Sequence, residues 1–320
     1  MFRFPSSSTF ALLPLAVLLV ACSATKPTAF GAGGGGGSGG GSDASGASSS
    51  GGDLFDAGMG GSTGSSGNSG SNCASDAGSI YTITADNQLY RFDPPTLAFT
   101  LIGTLSCSGG GFGSSPYSMS VDRSGVAWVI FTDGHLFKVD TKTATCAPTS
   151  FAPGQSGFTT FGMGFSANSP GSNDETLFVS DSAAGSGSTE GLAKIDTKTL
   201  TLTPVGAYDA FNARAEMTGT GDARLFGAFE GTPYVVAEIQ KTNAHILSQA
   251  PQNAISYAPG SSNFAFAFWG GDFWLFVGPG TSTDVFHYVP ATKVTTKVKT
   301  VGFEIVGAGV STCAPLMMPK

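Results

Sequence analysis

From Ser79 onward the chain alternates short runs of β-branched and aromatic residues with Gly, Pro, Asn and Asp, and no helical period is sustained anywhere. This pattern predicts an all-β domain. Three of the runs, Tyr117-Ser118-Met119-Ser120-Val121, Phe161-Gly162-Met163-Gly164-Phe165 and Phe264-Ala265-Phe266-Ala267-Phe268, alternate large with very small residues, whereas Val306-Gly307-Ala308-Gly309-Val310 is small throughout. Strands of this kind suit a place where sheets crowd together, with small side chains between backbones and large ones in the adjacent gap. From Ala32 to about Asn72 the chain is almost wholly Gly and Ser, broken only by scattered residues such as Leu54, Phe55 and Met59. Too little apolar surface is available there to offset the entropy of ordering, so this stretch is expected to be a disordered tether.

The β region also repeats. Leu89-Tyr90-Arg91-Phe92-Asp93 recurs as Leu136-Phe137-Lys138-Val139-Asp140 and Leu192-Ala193-Lys194-Ile195-Asp196, then more loosely from Val236 to Gln240 and from Val285 to Val289. The spacings of 47, 56, 44 and 49 residues resemble those of β-propeller blades. In the second copy, Tyr117–Val121, Val126–Phe131, Leu136–Asp140 and Thr145–Phe151 serve as strands a to d, running from the axis outward. The first copy lacks strand a, and Phe303–Val310 has the length and character to supply it. The expected fold is therefore a five-bladed β-propeller whose first blade is closed by the C-terminal strand, leaving no exposed sheet edge.

At the N-terminus, Arg3 precedes an apolar run from Phe10 that ends in Leu19-Val20-Ala21-Cys22. The run is about 11 residues, short of the roughly 20 that span a bilayer and within the range of a secretory signal. Its end resembles the lipobox of bacterial lipoproteins. That resemblance implies cleavage before Cys22, lipidation of its thiol and, with Ser23 next, sorting to the outer membrane. The expected organisation is a signal peptide at 1–21, a lipidated cysteine and Gly/Ser linker at 22–72, and a propeller domain at 73–320. The protein is expected to meet the membrane through its lipid alone. The 50 residues after Cys22 would span roughly 40 Å as a random coil.

Charge removes one class of partner. Loss of residues 1–21 takes away Arg3 and leaves 14 basic against 22 acidic residues, a net charge near −8, with no cluster of Lys and Arg. Nucleic acid is thereby disfavoured. Charged residues make up only 12% of the chain against the usual ~25%, so Ser, Thr, Asn and backbone must supply the polar surface. Beyond Cys22 the cysteines are Cys73, Cys107, Cys146 and Cys313, an even set without C-x-x-C spacing, which points to disulfides and permits three pairings. Ring closure selects among them. Cys73 lies just before strand b of the first blade and Cys313 just after the closing strand, so these two are expected to pair, leaving Cys107 with Cys146.

No catalytic constellation emerges. Asp93, Asp140 and Asp196 share an Asp-x-x-Thr spacing that suits hairpin turns, where the Asp oxygen accepts backbone N–H groups. Ser120-Val121-Asp122-Arg123-Ser124-Gly125-Val126-Ala127-Trp128 resembles the Asp-box of sialidase-like propellers but carries one extra residue before the glycine. No enzymatic role follows from it. Glu216 and Glu304 fall on or beside inner strands, while Asp122, Asp222 and Asp272 belong to a–b hairpins, and together they form the weak alternative of an axial carboxylate site. His135, His245 and His287 lie in different blades without ligand spacing, so neither metal nor cofactor is expected. His287 fills the outward slot held elsewhere by Arg91, Lys138, Lys194 and Glu238 and reads as a solvated surface residue. Long loops, including Ser108–Pro116, Ala152–Gly157, Ser182–Glu190, Tyr208–Asn212 and Ser256–Asn263, gather on one rim. The reading is a lipid-anchored envelope protein that binds or scaffolds a protein or glycan through that rim, with a glycan hydrolase or lyase as the alternative.

Overall fold

A computed structural model describes residues 72–107, 111, 113–182, 191–260 and 263–319. Cys22, the lipobox, almost all of the Gly/Ser linker and most of the loop from Ser182 to Glu190 lie outside these residues. The described chain begins with β1 (Ile80–Thr84), β2 (Gln88–Asp93) and β3 (Ala98–Thr104). A second set follows as β4 (Pro116–Val121), β5 (Val126–Phe131), β6 (Leu136–Asp140) and β7 (Cys146–Pro148), and a third as β8 (Phe161–Ala167), β9 (Glu175–Asp181), β10 (Leu192–Ile195) and β11 (Leu202–Gly206). The fourth is β12 (Ala215–Gly219), β13 (Leu225–Phe229), β14 (Tyr234–Ile239) and β15 (Ile246–Gln252). The fifth is β16 (Asn263–Trp269), β17 (Asp272–Gly278), β18 (Thr283–Val289) and β19 (Val294–Val301), and the last strand is β20 (Ile305–Gly309). Among the described residues the one helical turn is Gln155–Gly157.

Five antiparallel four-stranded sheets result, and they form a five-bladed β-propeller. Blade one has the order β20-β1-β2-β3, with Tyr81 opposite Gly309 and Thr82 opposite Ala308. The last strand thus supplies the inner edge of the first blade. Two disulfides join the chain, Cys73–Cys313 and Cys107–Cys146, as the closure scheme requires. The second ties the segment after β3 of blade one to the first residue of β7 in blade two. Strand d of blade two is shorter than the sequence pattern predicts, ending at Pro148, which has no N–H to donate to a ladder.

Burial falls from the axis outward. The inner strands β8, β12 and β20 are buried at every residue, whereas the outer strand β3 is mostly exposed. Glycine on the inner strands is a packing requirement. A Cβ on Gly162 would stand 2.0 Å from the Ala215 carbonyl oxygen, and one on Gly164 would stand 2.9 Å from the Met217 backbone, so blades three and four touch along their inner edges. Side chains stitch the neighbouring inner edges: Ser120 Oγ of blade two accepts the Phe165 N–H of blade three at 3.0 Å, and Thr218 Oγ1 of blade four accepts the Phe268 N–H of blade five at 3.1 Å.

Between successive blades lie five apolar cores. One, between blades five and one, sets Phe92 edge-on to Trp274 and Phe276 at 5.2 and 5.4 Å. Each buried Phe side chain contributes about 2–3 kcal/mol by its removal from water. At the outer edges the c–d turns repeat a single geometry. Leu97, Ala144, Leu200, Ala244 and Lys293 occupy the same place in the five turns, and each has φ between 56° and 61°. Of the three Asp residues that open these turns, Asp140 and Asp196 act as the sequence predicts and Asp93 does not, because Pro94 and Pro95 follow it and have no N–H to donate. Asp140 Oδ1 accepts the Lys142 and Thr143 N–H groups at 2.8 and 2.9 Å, Asp196 Oδ1 does the same for Lys198 and Thr199, and Asp93 takes the Thr96 hydroxyl.

Candidate functional site

Antiparallel strands running a to d place the b–c and d–a connections at one end of the axis and the a–b and c–d turns at the other. At the first end lies a cavity of about 130 Å³ lined by residues from four blades. Its walls take Tyr117 and Pro116 from the start of β4, Glu216 from β12, Asn263 and Phe264 from β16, and Glu304 and Val306 from the closing segment. Ala85, Ser115, Thr132 and Arg214 complete the rim.

Glu216 forms the inner limit of this cavity. It is 4% exposed, and Ser118 of blade two donates to its Oε2 at 2.6 Å from across the axis. Burial pushes the Glu216 carboxyl well above the usual carboxylate range, against the opposing pull of Ser118 and the Arg214 charge, which favours the neutral acid. Glu304 is also shifted upward, by burial and by the neighbouring Asp86 charge.

Arg214 does not stand as an unmatched cation. It immediately precedes β12, and Glu230 immediately follows β13, so the antiparallel register brings the two together. Arg214 donates Nε–H to Glu230 Oε2 at 2.6 Å and Nη2–H to Oε1 at 2.8 Å, and its guanidinium lies 4.9 Å from the Phe264 ring centroid. Such a bidentate pair fixes the geometry of both groups. The Tyr117 phenol is held above its ordinary value, chiefly by burial, and so remains a hydroxyl donor. The cavity accordingly presents hydroxyl, amide and carboxyl groups around an apolar patch of Pro116, Val306 and Ala85.

Of the carboxyls marked in the sequence, Glu216 and Glu304 converge on this cavity and the three aspartates do not. Asp122 instead locks its own hairpin, accepting the Ser124 and Val126 N–H groups at 2.9 and 3.0 Å and the Trp128 indole N–H at 3.0 Å. Asp222 takes the Thr220 hydroxyl in its hairpin, and Asp272 pairs with His287 Nε2 at 2.8 Å. His287 departs from a solvated surface position, because its ring stacks on Trp274 at 4.3 Å. His135 and His245 pair with Asp133 and Asp209 near the surface. Among the described residues no three His, Cys, Asp or Glu side chains gather as a metal site would require.

At the opposite end of the axis a buried polar network surrounds the Cys73–Cys313 bridge. The Arg123 backbone N–H donates to Glu175 Oε1 at 2.8 Å, Thr312 Oγ1 donates to Glu175 Oε2 at 2.7 Å, and the Arg123 guanidinium donates to Thr312 Oγ1 at 2.9 Å. Burial pushes the Glu175 carboxyl up to about 7. These contacts join the β4–β5 hairpin, the start of β9 and the segment after β20.

Arg214, Glu230, Tyr117, Asn263 and Ser118 belong to the cavity or its support without any motif in the sequence that marks them. The opposite charges flanking the β12–β13 hairpin were the one available signal, since residues just outside a hairpin face each other. No family model and no curated protein matches this sequence. Among solved structures the chain is similar to one in a nidogen/laminin complex, with a TM-score of 0.48 and 8% identity over 72% of this chain and 97% of that one. It is also similar to the extracellular domain of a hybrid two-component system from B. thetaiotaomicron, with a TM-score of 0.38 and 15% identity over 71% of this chain and 30% of the other. A chain of the mitotic checkpoint complex aligns with a TM-score of 0.37 and 12% identity, over 71% of this chain and 61% of that one. These likenesses concern the fold alone.

Proposed function

We propose that this protein is a lipid-anchored binding module of the bacterial envelope, and that its ligand enters the axial cavity on the b–c and d–a face. The observation that carries the binding role is the placement of that cavity. Residues from four blades converge at one end of the axis around a polar, partly apolar hollow. Rigid scaffolds usually bind where loops and strand ends meet in this way. Support for the anchor is the lipobox-like Leu19-Val20-Ala21-Cys22, followed by a linker long enough to hold the domain away from a membrane surface.

The two glutamates in one cavity favour a second reading, a glycan hydrolase or lyase. Cleavage of a glycosidic bond needs one carboxyl held ionised beside a protonated partner. Here Glu216 is 4% exposed and its Oε2 is taken by the Ser118 hydroxyl in a bond that closes the axis, so it is not poised to protonate a leaving group. Binding without turnover fits these environments better.

The anchor is tested by Cys22→Ser in producing cells. The variant is expected to leave the membrane fraction and to lose incorporation of labelled fatty acid. Unchanged membrane association and labelling would overturn the anchor. Turnover is tested by incubating purified protein with mixed envelope glycans. No new reducing ends are expected, and their appearance, abolished by Glu216→Gln, would establish the enzyme instead.

A further inference from the structure

The cavity's size restricts what it can take. Its roughly 130 Å³ is below the ~300 Å³ at which drug-sized ligands begin to fit, and close to the ~150 Å³ of an engineered cavity that accepts benzene. A volume of that size takes one six-membered ring inserted from the open end, with its outer hydroxyls left at the mouth.

Its electrostatics restrict the ligand further. A carboxylate ligand would approach Glu304 and the Glu230 that already occupies Arg214, while an ammonium ligand would approach the Arg214 guanidinium. An acid therefore meets no uncommitted cation, since Arg214 is already held by Glu230. What the walls do offer is hydroxyl donors and acceptors from Ser115, Tyr117 and Thr132, an amide from Asn263 that both donates and accepts, and the buried Glu216 carboxyl. Pro116 and Val306 add an apolar surface for C–H groups. A ring edged with hydroxyls and faced with C–H matches that lining.

We propose that the axial cavity holds one neutral pyranose ring, the terminal residue of a glycan. This rests on the reading that the b–c and d–a face binds a ligand. The Arg214–Glu230 pair positions Phe264 and the rim and does not recognise an acid on the sugar. Recognition is of the chain end, because the cavity admits a single ring.

The test is to label the full-length protein, purified in mild detergent, and apply it to an array of glycans ending in glucose, galactose, mannose, N-acetylglucosamine or glucuronic acid. Retention on one or more neutral ends is expected, with glucuronate ends at least about tenfold weaker. Titration with the free monosaccharide of the best end should then show a loss of about fivefold to tenfold for Asn263→Ala and for Tyr117→Phe, as expected for one lost hydrogen bond. Val306→Phe, which fills the cavity, should abolish binding. Should that variant fail to fold, Asn263→Ala alone decides. A blank array, preference for the charged end, or binding indifferent to these substitutions would overturn the proposal. A blank array together with protein adducts at a crosslinker placed on the cavity rim would reject the sugar and retain the face. Sugar binding insensitive to every cavity variant, with no rim adducts, would reject both.

Discussion

Ser118 and Glu216, 98 residues apart in sequence and on blades two and four, meet across the propeller axis in a buried hydrogen bond of 2.6 Å. Blades two and four are not neighbours in the ring, so this bond closes the centre as the interblade cores close the periphery. Removing the donor leaves a buried acceptor unsatisfied, which costs about 1–3 kcal/mol. Ser118→Ala should therefore lower the melting temperature by roughly 3–10 °C for a domain of this size. Glu216→Gln keeps an acceptor for Ser118 and replaces an acid that burial already favours as neutral, so its melting temperature at pH 6 should match the wild type within a few degrees.

The two disulfides should differ in worth. Cys73–Cys313 closes a loop of 240 residues and Cys107–Cys146 one of 39. In the chain-entropy account the long loop contributes up to roughly 5.5 kcal/mol and the short one roughly 4 kcal/mol. Replacing the Cys73 and Cys313 pair with serine should lower the urea midpoint more than replacing the Cys107 and Cys146 pair. The reverse order would mean that the terminal staple adds little to the pairing of β20 with β1.

Glycine on the inner strands is expected to be intolerant of any side chain. Gly162→Ala would drive a Cβ into the Ala215 carbonyl of the neighbouring blade, whereas Gly302→Ala has nothing within 4 Å of the new methyl. The first should give insoluble protein or a loss of several kcal/mol, as overpacking against backbone does. The second should melt within about 2 °C of the wild type, which thermal scans of the two variants side by side would check.

Stability should fall as pH rises through neutrality. Glu175 has its carboxyl raised from 4.5 to about 7 by burial, with Asp122 opposing and Arg123 and Thr312 assisting ionisation. A raised folded-state value means the folded chain binds more protons than the unfolded one between these two pH values. The contribution is fully present below about pH 4.5 and is lost as pH rises past 7. Glu216 acts in the same direction, so the difference between wild type and Glu175→Gln isolates the first group. That variant should gain about 2 kcal/mol relative to wild type on going from pH 5 to pH 8. A constant offset across this range would place the shift elsewhere.

The blades were legible because each reuses one pattern. Leu136–Asp140 is strand β6 to the residue, and Leu89–Asp93 and Val285–Val289 lie within β2 and β18. Closure was legible from the missing inner strand of the first copy together with Cys73 and Cys313. Alternation of period two shows which residues share a face of a strand, but not which of them meet once five strands are bent around an axis. Glu216 could therefore be placed on an inner strand, while its bond to Ser118 and its grouping with Tyr117 and Asn263 depend on the ring. His287 likewise read as an outward polar position, and only the register that sets it opposite Trp274 shows the stacked, half-buried ring.

The proposed binding face is the b–c and d–a end of the axis, and the opposite end serves as its control. The most direct measurement places a benzophenone amino acid at Thr132 on the cavity rim, and separately at Lys198 in a c–d turn of the opposite end, followed by irradiation of intact producing cells. Both positions are exposed. Adducts at position 132 that Val306→Phe removes, with none at position 198, are the predicted result. Adducts at 198 alone, or at 132 undiminished by Val306→Phe, would contradict it.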